Sequence, residues 1–347
     1  MSSPARVPLV RVAGLVPAIR FLIRQGVRVE RFLERAGLSP RVLLRPEGLV
    51  PLHLAARFLD DIARVEGCPT LGLQFGNDAT LDDLGTFGQV IARASTLRQL
   101  LESLFMNAPA YNSGVSWWLE EHGPYMRLCH SFSGDPDGSF VQVSQSAISL
   151  ARNTLRRIGG PRWHPVALQL SVGTACRRIP DDPVLEGIPM RIDPRVSAVT
   201  FDPELFALTI PQARIAPRFD SVALDHWRDR GPATEFPAIV LQILQTLSQD
   251  GVPPSVGETS AAIGMSVRTL QRWLAAAGSS FEALIGTTRL VTARHLLDNT
   301  DAKVVEIALE LGYSDHAHFT RAFRRWTGLS PIAYRRARLT TPTAATG

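Results

Sequence analysis

The stretch TDAKVVEIALELGYSDHAHFTRAFRRWTGLSPIAYRR, Thr300 to Arg336, decides how this chain is read. Apolar residues recur at helical spacing from Val304 to Leu311, and Gly312-Tyr313-Ser314-Asp315 then breaks the pattern. Gly312 can take the left-handed conformation that a helix end needs. Ala308, one turn earlier, is small enough to let a second helix pack closely. Ser314 or Asp315 can cap that second helix. It begins at His316 and places Phe319, Phe323 and Trp326 (i, i+4, i+7) on its inward stripe. Gly328 and Pro331 end it. The residues left outside are His316, Ala317, His318, Arg321 and Arg325. Two short helices joined by a tight turn, the second polar and cationic, have the width and charge to enter a DNA major groove.

An upstream copy of the pattern supports this reading. Thr259 to Ser266 leads into Val267-Arg268-Thr269-Leu270-Gln271-Arg272-Trp273-Leu274. Ser260 answers Ala308, Ile263 answers Leu311, Gly264 answers Gly312 and Met265 answers Tyr313. The second copy has one extra residue beyond the turn, after which Leu270, Arg272 and Leu274 answer Phe319, Arg321 and Phe323. Phe281 to Leu297, with Phe281, Leu284, Ile285, Leu290, Ala293, Leu296 and Leu297 expected inward, forms a linker helix between the two units. A single such unit arises by chance in helical proteins; two in register, set apart by a helix, do not.

The rest of the chain has a different character. Ala18–Ala36 is helical with a break near Gly26, and Leu52–Val65 is a second helix. Leu71–Gly76 is a short apolar segment, and further helices run from Thr86 to Ala94 and from Thr96 to about Asn107. The period then switches to two. Val115–Glu120 and Met126–Phe132 flank a His122-Gly123-Pro124 turn as a hairpin, and Gly134–Gly138 is a loop. Phe140–Ile158 is a long helix. Pro165–Val172, Ile188–Ile192 and Ser197–Phe201 read as strands before a helical turn at Pro203–Leu208. The expected fold is an α+β N-terminal domain over residues 1–210, for sensing or dimerisation. It is followed by a linker (211–250) that holds a short helix, Phe236–Ser248, serving as a dimer contact or an interdomain brace. An all-α C-terminal domain (251–336) then carries the two helix-turn-helix units and their linker helix. Residues 1–12 read as a loose start and 337–347 as a disordered tail.

Composition narrows the function classes. The chain has 347 residues, 45% hydrophobic and 20% charged, enough for two separate cores. Net charge is +5, and from Gly251 onward 11 Lys+Arg stand against 7 Asp+Glu. That excess suits nucleic acid without establishing it. Lys303 is the only lysine. Cys68, Cys129 and Cys176 are scattered, without CxxC or metal spacing, and read as reduced thiols. No GxSxG, phosphate-cradling glycine loop or HExxH is present. No catalytic residue, metal or cofactor is therefore assigned, and the chain reads as not an enzyme. The N-terminus is interrupted by Arg and Pro and reads as no signal peptide. No apolar run approaches the roughly 18–20 residues of a membrane helix. The expected setting is the cytoplasm, away from membranes.

The segment IALELGYSDHAHFTRAFRRWTGLSPIAYR from Ile307 resembles the DNA-binding domain of the AraC/XylS family of bacterial transcription regulators, a resemblance that extends over 251–336. Phe32–Leu38, Leu71–Gly76, Asp83-Leu84-Gly85, Gly187-Ile188-Pro189 and Ala198–Phe201 resemble the arabinose-binding-type N-terminal domain of one branch of that family. The label does not make arabinose the ligand. The resemblance implies double-stranded promoter DNA as partner, with each recognition helix in one of two major grooves about 34 Å apart on one DNA face. By motif position it assigns Arg268, Gln271 and Arg272 to the first helix and His316, Ala317, His318 and Arg321 to the second, with Arg325 beside them. Each arginine reads a guanine edge, holds a phosphate or stays in solvent. His316 and His318 point about 200° apart and cannot chelate one metal. At least one should reach the DNA, and a merely solvated or packing role stands beside this for His318. Trp273, Phe319, Phe323 and Trp326 are expected in the core. Trp117, Trp118, Trp163 and His164 either line a pocket or pack. The resemblance further implies an unidentified small-molecule effector, a homodimer, contact with RNA polymerase, and activation rather than repression. Two alternatives stand beside it: an N-terminal domain that only dimerises, and an enzyme domain fused to a DNA-binding module.

Overall fold

A computed structural model of the chain describes residues 7–133, 140–171, 182–193, 195–210, 221–248 and 251–340. The expected loop at Gly134–Gly138, Cys176, positions 211–220 of the expected linker and positions 341–347 of the expected tail lie outside these residues. The chain divides into two compact units, one ending at Thr234 and the other starting at Glu235.

Of the expected loose start, residues 1–6 lie outside the described residues and Leu9–Arg11 form a strand. β1 (Leu9–Arg11) pairs antiparallel with β2 (Leu49–Pro51). The reason is burial: Leu9 and Val10 enter the core, and Arg11 is only 2% exposed. The guanidinium is spent on carbonyl oxygens. Nε donates to Ala110 O (3.0 Å), Nη1 to Glu47 O (2.9 Å), and Nη2 to Trp227 O (2.9 Å) and Arg230 O (3.2 Å). It also pairs with Glu47 Oε2 at 3.2 Å and stacks 4.5 Å from the Trp227 ring, whose indole N–H donates to Glu47 (2.7 Å). Burial lowers the Arg11 pKa, and Glu47 pulls it back up. Trp227 lies on α8 (Ser221–Asp229). The N-terminal unit therefore extends past residue 210 and takes in half of the expected linker.

Between these ends come α1 (Val16–Arg24), α2 (Val29–Ala36), α3 (Leu52–Val65), α4 (Leu71–Asp78), α5 (Gly85–Ile91) and α6 (Leu97–Tyr111). The break between α1 and α2 falls at Gly26, which has φ +77°. The apolar segment at Leu71 becomes helix α4, because Gly72 and Gly76 let it lie almost backbone to backbone on α7 (Val141–Gly159). A Cβ at Gly72 would collide with the Gln142 carbonyl, and one at Gly76 would sit 2.6 Å from Ser146 O.

The hairpin β3 (Val115–His122) and β4 (Tyr125–Phe132) begins a five-stranded sheet with β5 (Ala167–Ser171), β6 (Met190–Asp193) and β7 (Ser197–Phe201), in the order β3-β4-β7-β5-β6. Only the β5–β6 pair is parallel. The core lies between this sheet and α5, α6 and α7, where Leu101, Ile148, Val199 and Phe201 are buried. A cavity of about 160 Å³ remains among α3, α4, α5, α6, α7 and the hairpin. Of the four expected pocket candidates, Trp117 lines this cavity. Trp118 bonds Glu120 (3.2 Å), Trp163 packs on the core and His164 is exposed.

The second unit is helical: α9 (Phe236–Leu247), α10 (Val256–Ile263), α11 (Val267–Ala276), α12 (Phe281–Asn299), α13 (Val304–Glu310), α14 (His316–Thr327) and α15 (Pro331–Thr340). α9 is part of this unit rather than a linker. Phe236, Ile239, Val240, Ile243 and Leu244 are buried, α9 contacts α10, α11 and α12, and Phe236 meets Trp273 edge-on at 5.3 Å. α12 belongs to both halves. Phe281 and Leu284 are buried on its first turns. Ala293 and Leu297 join Ile307, Ala308, Leu311, Phe319 and Phe323 in one cluster. α15 continues to Thr340, so residues 337–340 of the expected tail are helical. Ser330 starts α15 by accepting from Ala333 N (3.2 Å). Arg335 donates to Leu297 O (3.3 Å) and Ala302 O (2.8 Å) and ties α15 to the end of α12.

Candidate nucleic-acid interface

Two turns of the same construction set the interface. Gly264 (φ +81°) ends α10, and Gly312 (φ +75°) follows α13. In the first turn Gly264 N donates to Ala261 O (3.1 Å) and Met265 N to Ser260 O (3.0 Å). In the second, Gly312 N donates to Leu309 O (3.0 Å) and Tyr313 N to Ala308 O (2.9 Å). Both turns thus close helix carbonyls with a left-handed glycine. Ser260 and Ala308 are both buried, which accounts for the small residue at that register.

Each second helix is started by a side-chain cap. Ser266 Oγ accepts from Thr269 N (3.2 Å) at α11, and Asp315 Oδ1 accepts from His318 N (2.7 Å) at α14. The His318 amide is the main reason the Asp315 carboxyl lies below its usual range. Of the two expected caps for α14, Asp315 is the one used. At the head of α10, Ser255 and Glu258 bond reciprocally: Ser255 N to Glu258 Oε2 (2.7 Å) and Glu258 N to Ser255 Oγ (3.2 Å).

The inward stripes then orient the outward ones. Leu270 and Leu274 are fully buried on α11, as are Phe319 and Phe323 on α14. Trp273 and Trp326 are half-buried rather than core, with Trp326 lying against Gly286 of α12. Arg268, Gln271 and Arg272 (i, i+3, i+4) are exposed on α11, and His316, Ala317, His318, Arg321 and Arg325 on α14. His318, Arg321 and Arg325 (i, i+3, i+7) line one groove, which His316 and Ala317 do not enter. His318 meets the Tyr313 ring edge-on at 6.4 Å.

The groove adds a residue that the motif reading missed. Arg289 of α12 lines it and stacks 4.9 Å from the Tyr313 ring, and its Nε has no hydrogen-bond partner among the described residues. No local pattern marks Arg289, because it sits on the connecting helix and meets α14 only in the fold. Arg289, Arg321 and Arg325 line this groove, with Glu282 the one acidic residue among its described lining, and form a surface suited to phosphate oxygens.

Comparison with known proteins agrees with this construction. A helix-turn-helix domain model matches residues 259–337, and the arabinose-binding domain of AraC transcription regulators, N-terminal, matches residues 26–210. An uncharacterized HTH-type transcriptional regulator of Mycobacterium tuberculosis is 25% identical over 90% of this chain and 92% of its own. The transcriptional activator NphR of Rhodococcus sp. is 37% identical over 24% of each chain. Among solved structures, the transcriptional regulator CdpR of Pseudomonas aeruginosa aligns over 92% of this chain and 96% of its own, at 21% identity and a TM-score of 0.42. Fold and matches define a DNA-binding transcription regulator with two helix-turn-helix units. The chain belongs to the AraC family, in the branch with an arabinose-binding-type N-terminal domain.

Proposed function

We propose that the chain lays α11 and α14 in two successive major grooves of promoter DNA and activates transcription when a small molecule binds its N-terminal unit. The observation that carries this is the pair of matched turns, each of which buries one side of its second helix and leaves a polar, cationic side free. Arg272 and Arg321, at equivalent positions of the repeat, are the proposed base readers. Arg268, Gln271, His316, Ala317 and His318 flank them, and Arg325 holds phosphate with Arg289. A bidentate arginine–guanine pair discriminates by roughly 1–3 kcal/mol. The similarity to the transcriptional activator NphR supports activation, and with it contact with RNA polymerase. Homodimerisation through the N-terminal unit and action in the cytoplasm complete the reading. Among the described residues, no helix is long and apolar enough to cross a membrane.

The test begins with DNA selected from a random pool by the intact protein. Arg272→Ala and Arg321→Ala are each expected to weaken binding to that sequence about tenfold or more. Affinity should fall with rising salt at a log–log slope of roughly −0.9 per phosphate neutralised. Affinities within twofold of wild type for both variants, or a flat salt response, would remove the docking.

A further inference from the structure

We propose that the effector is a neutral, hydrocarbon-rich small molecule, held in the cavity among α3, α4, α5, α6, α7 and the β3–β4 hairpin. The inference rests on the effector reading above and adds the ligand's chemistry. The cavity measures about 160 Å³. An engineered apolar cavity of about 150 Å³ stays dry and takes up benzene, so the site suits a molecule on the order of six to ten heavy atoms.

The walls decide the class. No Asp, Glu, Lys, Arg or His is among the described lining residues. Of the side chains that could bond a polar ligand, three are engaged within the fold, and Tyr111 and Trp117 add only one hydroxyl and one indole N–H. Ser146 Oγ donates to Val143 O (2.8 Å), Thr154 Oγ1 donates to Leu150 O (2.9 Å), and Asn112 Oδ1 accepts from Gly114 N (2.9 Å). A sugar would leave several hydroxyls unbonded here and a carboxylate would find no cation, and both are costly. Phe75, Phe87, Tyr111, Trp117 and Phe132 instead offer aromatic surface.

The site is also reachable and connected. Val143, Ala147, Leu150, Ala151 and Thr154 form one stripe of α7 facing the cavity, yet remain only half-buried. The small side chains at 147 and 151 leave the space open. Phe87, in the wall, stacks on Tyr111 (4.3 Å) and on Trp227 of α8 (6.4 Å). An occupant thus touches the ring on which the last helix of the unit rests.

The test uses the full-length protein and 4-fluorotoluene followed by fluorine NMR. Saturable broadening is expected, displaced by toluene but not by benzoate or arabinose. Ala151→Phe, which fills the space, should weaken uptake at least tenfold while the protein still melts cooperatively. These competition arms need no variant. No saturable uptake, equal displacement by benzoate or arabinose, or full uptake by folded Ala151→Phe would overturn the proposal. Affinity for the selected DNA is measured in the same samples. Cavity binding that leaves DNA affinity and transcription unchanged supports the ligand class and removes the effector reading. A polar compound that shifts DNA affinity without displacing the probe does the reverse.

Discussion

Replacing Arg11 by alanine should destabilise the N-terminal unit by about 3–5 kcal/mol, through the buried carbonyl acceptors that lose their donor. The carbonyls supply most of this. Ala110, Glu47, Trp227 and Arg230 would each lose a donor. A buried acceptor left unmet costs about 1–3 kcal/mol, and water entering the vacated space reduces the sum. The Glu47 carboxylate adds little, because its side chain is 38% exposed and solvent can replace the guanidinium there. Arg11→Lys keeps the charge but not the planar fork, so it should recover less than half of the loss. Urea denaturation of the full-length protein measures the stability. Limited proteolysis between Ser221 and Thr234 reports whether α8 has come away. A loss under 1 kcal/mol for Arg11→Ala, or full recovery by lysine, would refute the reasoning, since either would mean that the fork's geometry is not what holds α8.

Two further perturbations separate backbone approach from charge. Gly76→Ala should cost about 1–3 kcal/mol by overpacking against the Ser146 carbonyl. Gly257→Ala, at an exposed position in the first turn of α10 where the new Cβ meets only Ser255 Oγ at 3.8 Å, should instead gain up to about 1 kcal/mol in helix propensity, and thermal melting distinguishes the signs. His130 is fully buried, with its pKa pushed down to about 4 by burial and partly restored by its bond to Ser144 O (3.2 Å). The unfolded chain therefore binds this proton first. Stability is fully present above about pH 6.5 and falls by a few kcal/mol as pH drops toward 4. His130→Phe should flatten that part of the urea-midpoint profile, and an unchanged profile would show that another group titrates there.

The second helix-turn-helix was legible because every signal in it is local. Gly312, the Asp315 cap and the Phe319–Phe323 stripe lie within a dozen residues of one another and dictate their own geometry. The hairpin at Gly123 and the helix Leu52–Val65 were legible for the same reason. What escaped depends on partners far along the chain. β1 is a strand because Arg11 meets carbonyls at positions 47, 110, 227 and 230. α9 looked like a linker because its apolar face has no neighbour until α10, α11 and α12 fold against it. Arg289 gains its place only when α12 crosses α14. The exposed residues of the interface were readable as outward-facing from helical period alone, and the cavity was not, because a void is set by side chains that fail to meet.

One helix, α12, supplies inward residues to both halves of the C-terminal unit, and a helix is a screw. Each added residue lengthens it by about 1.5 Å and turns it by about 100°. Under the proposed docking, the distance between the two DNA segments read by one chain and the angle between the two reading heads cannot change independently. A single insertion between Thr288 and Ala293 would swing one head far around the duplex, whereas two whole turns would nearly restore its direction but displace it along the axis by about 10 Å. Operators for such a protein can drift in base sequence at either contact, while the interval between the contacts is fixed by the length of α12.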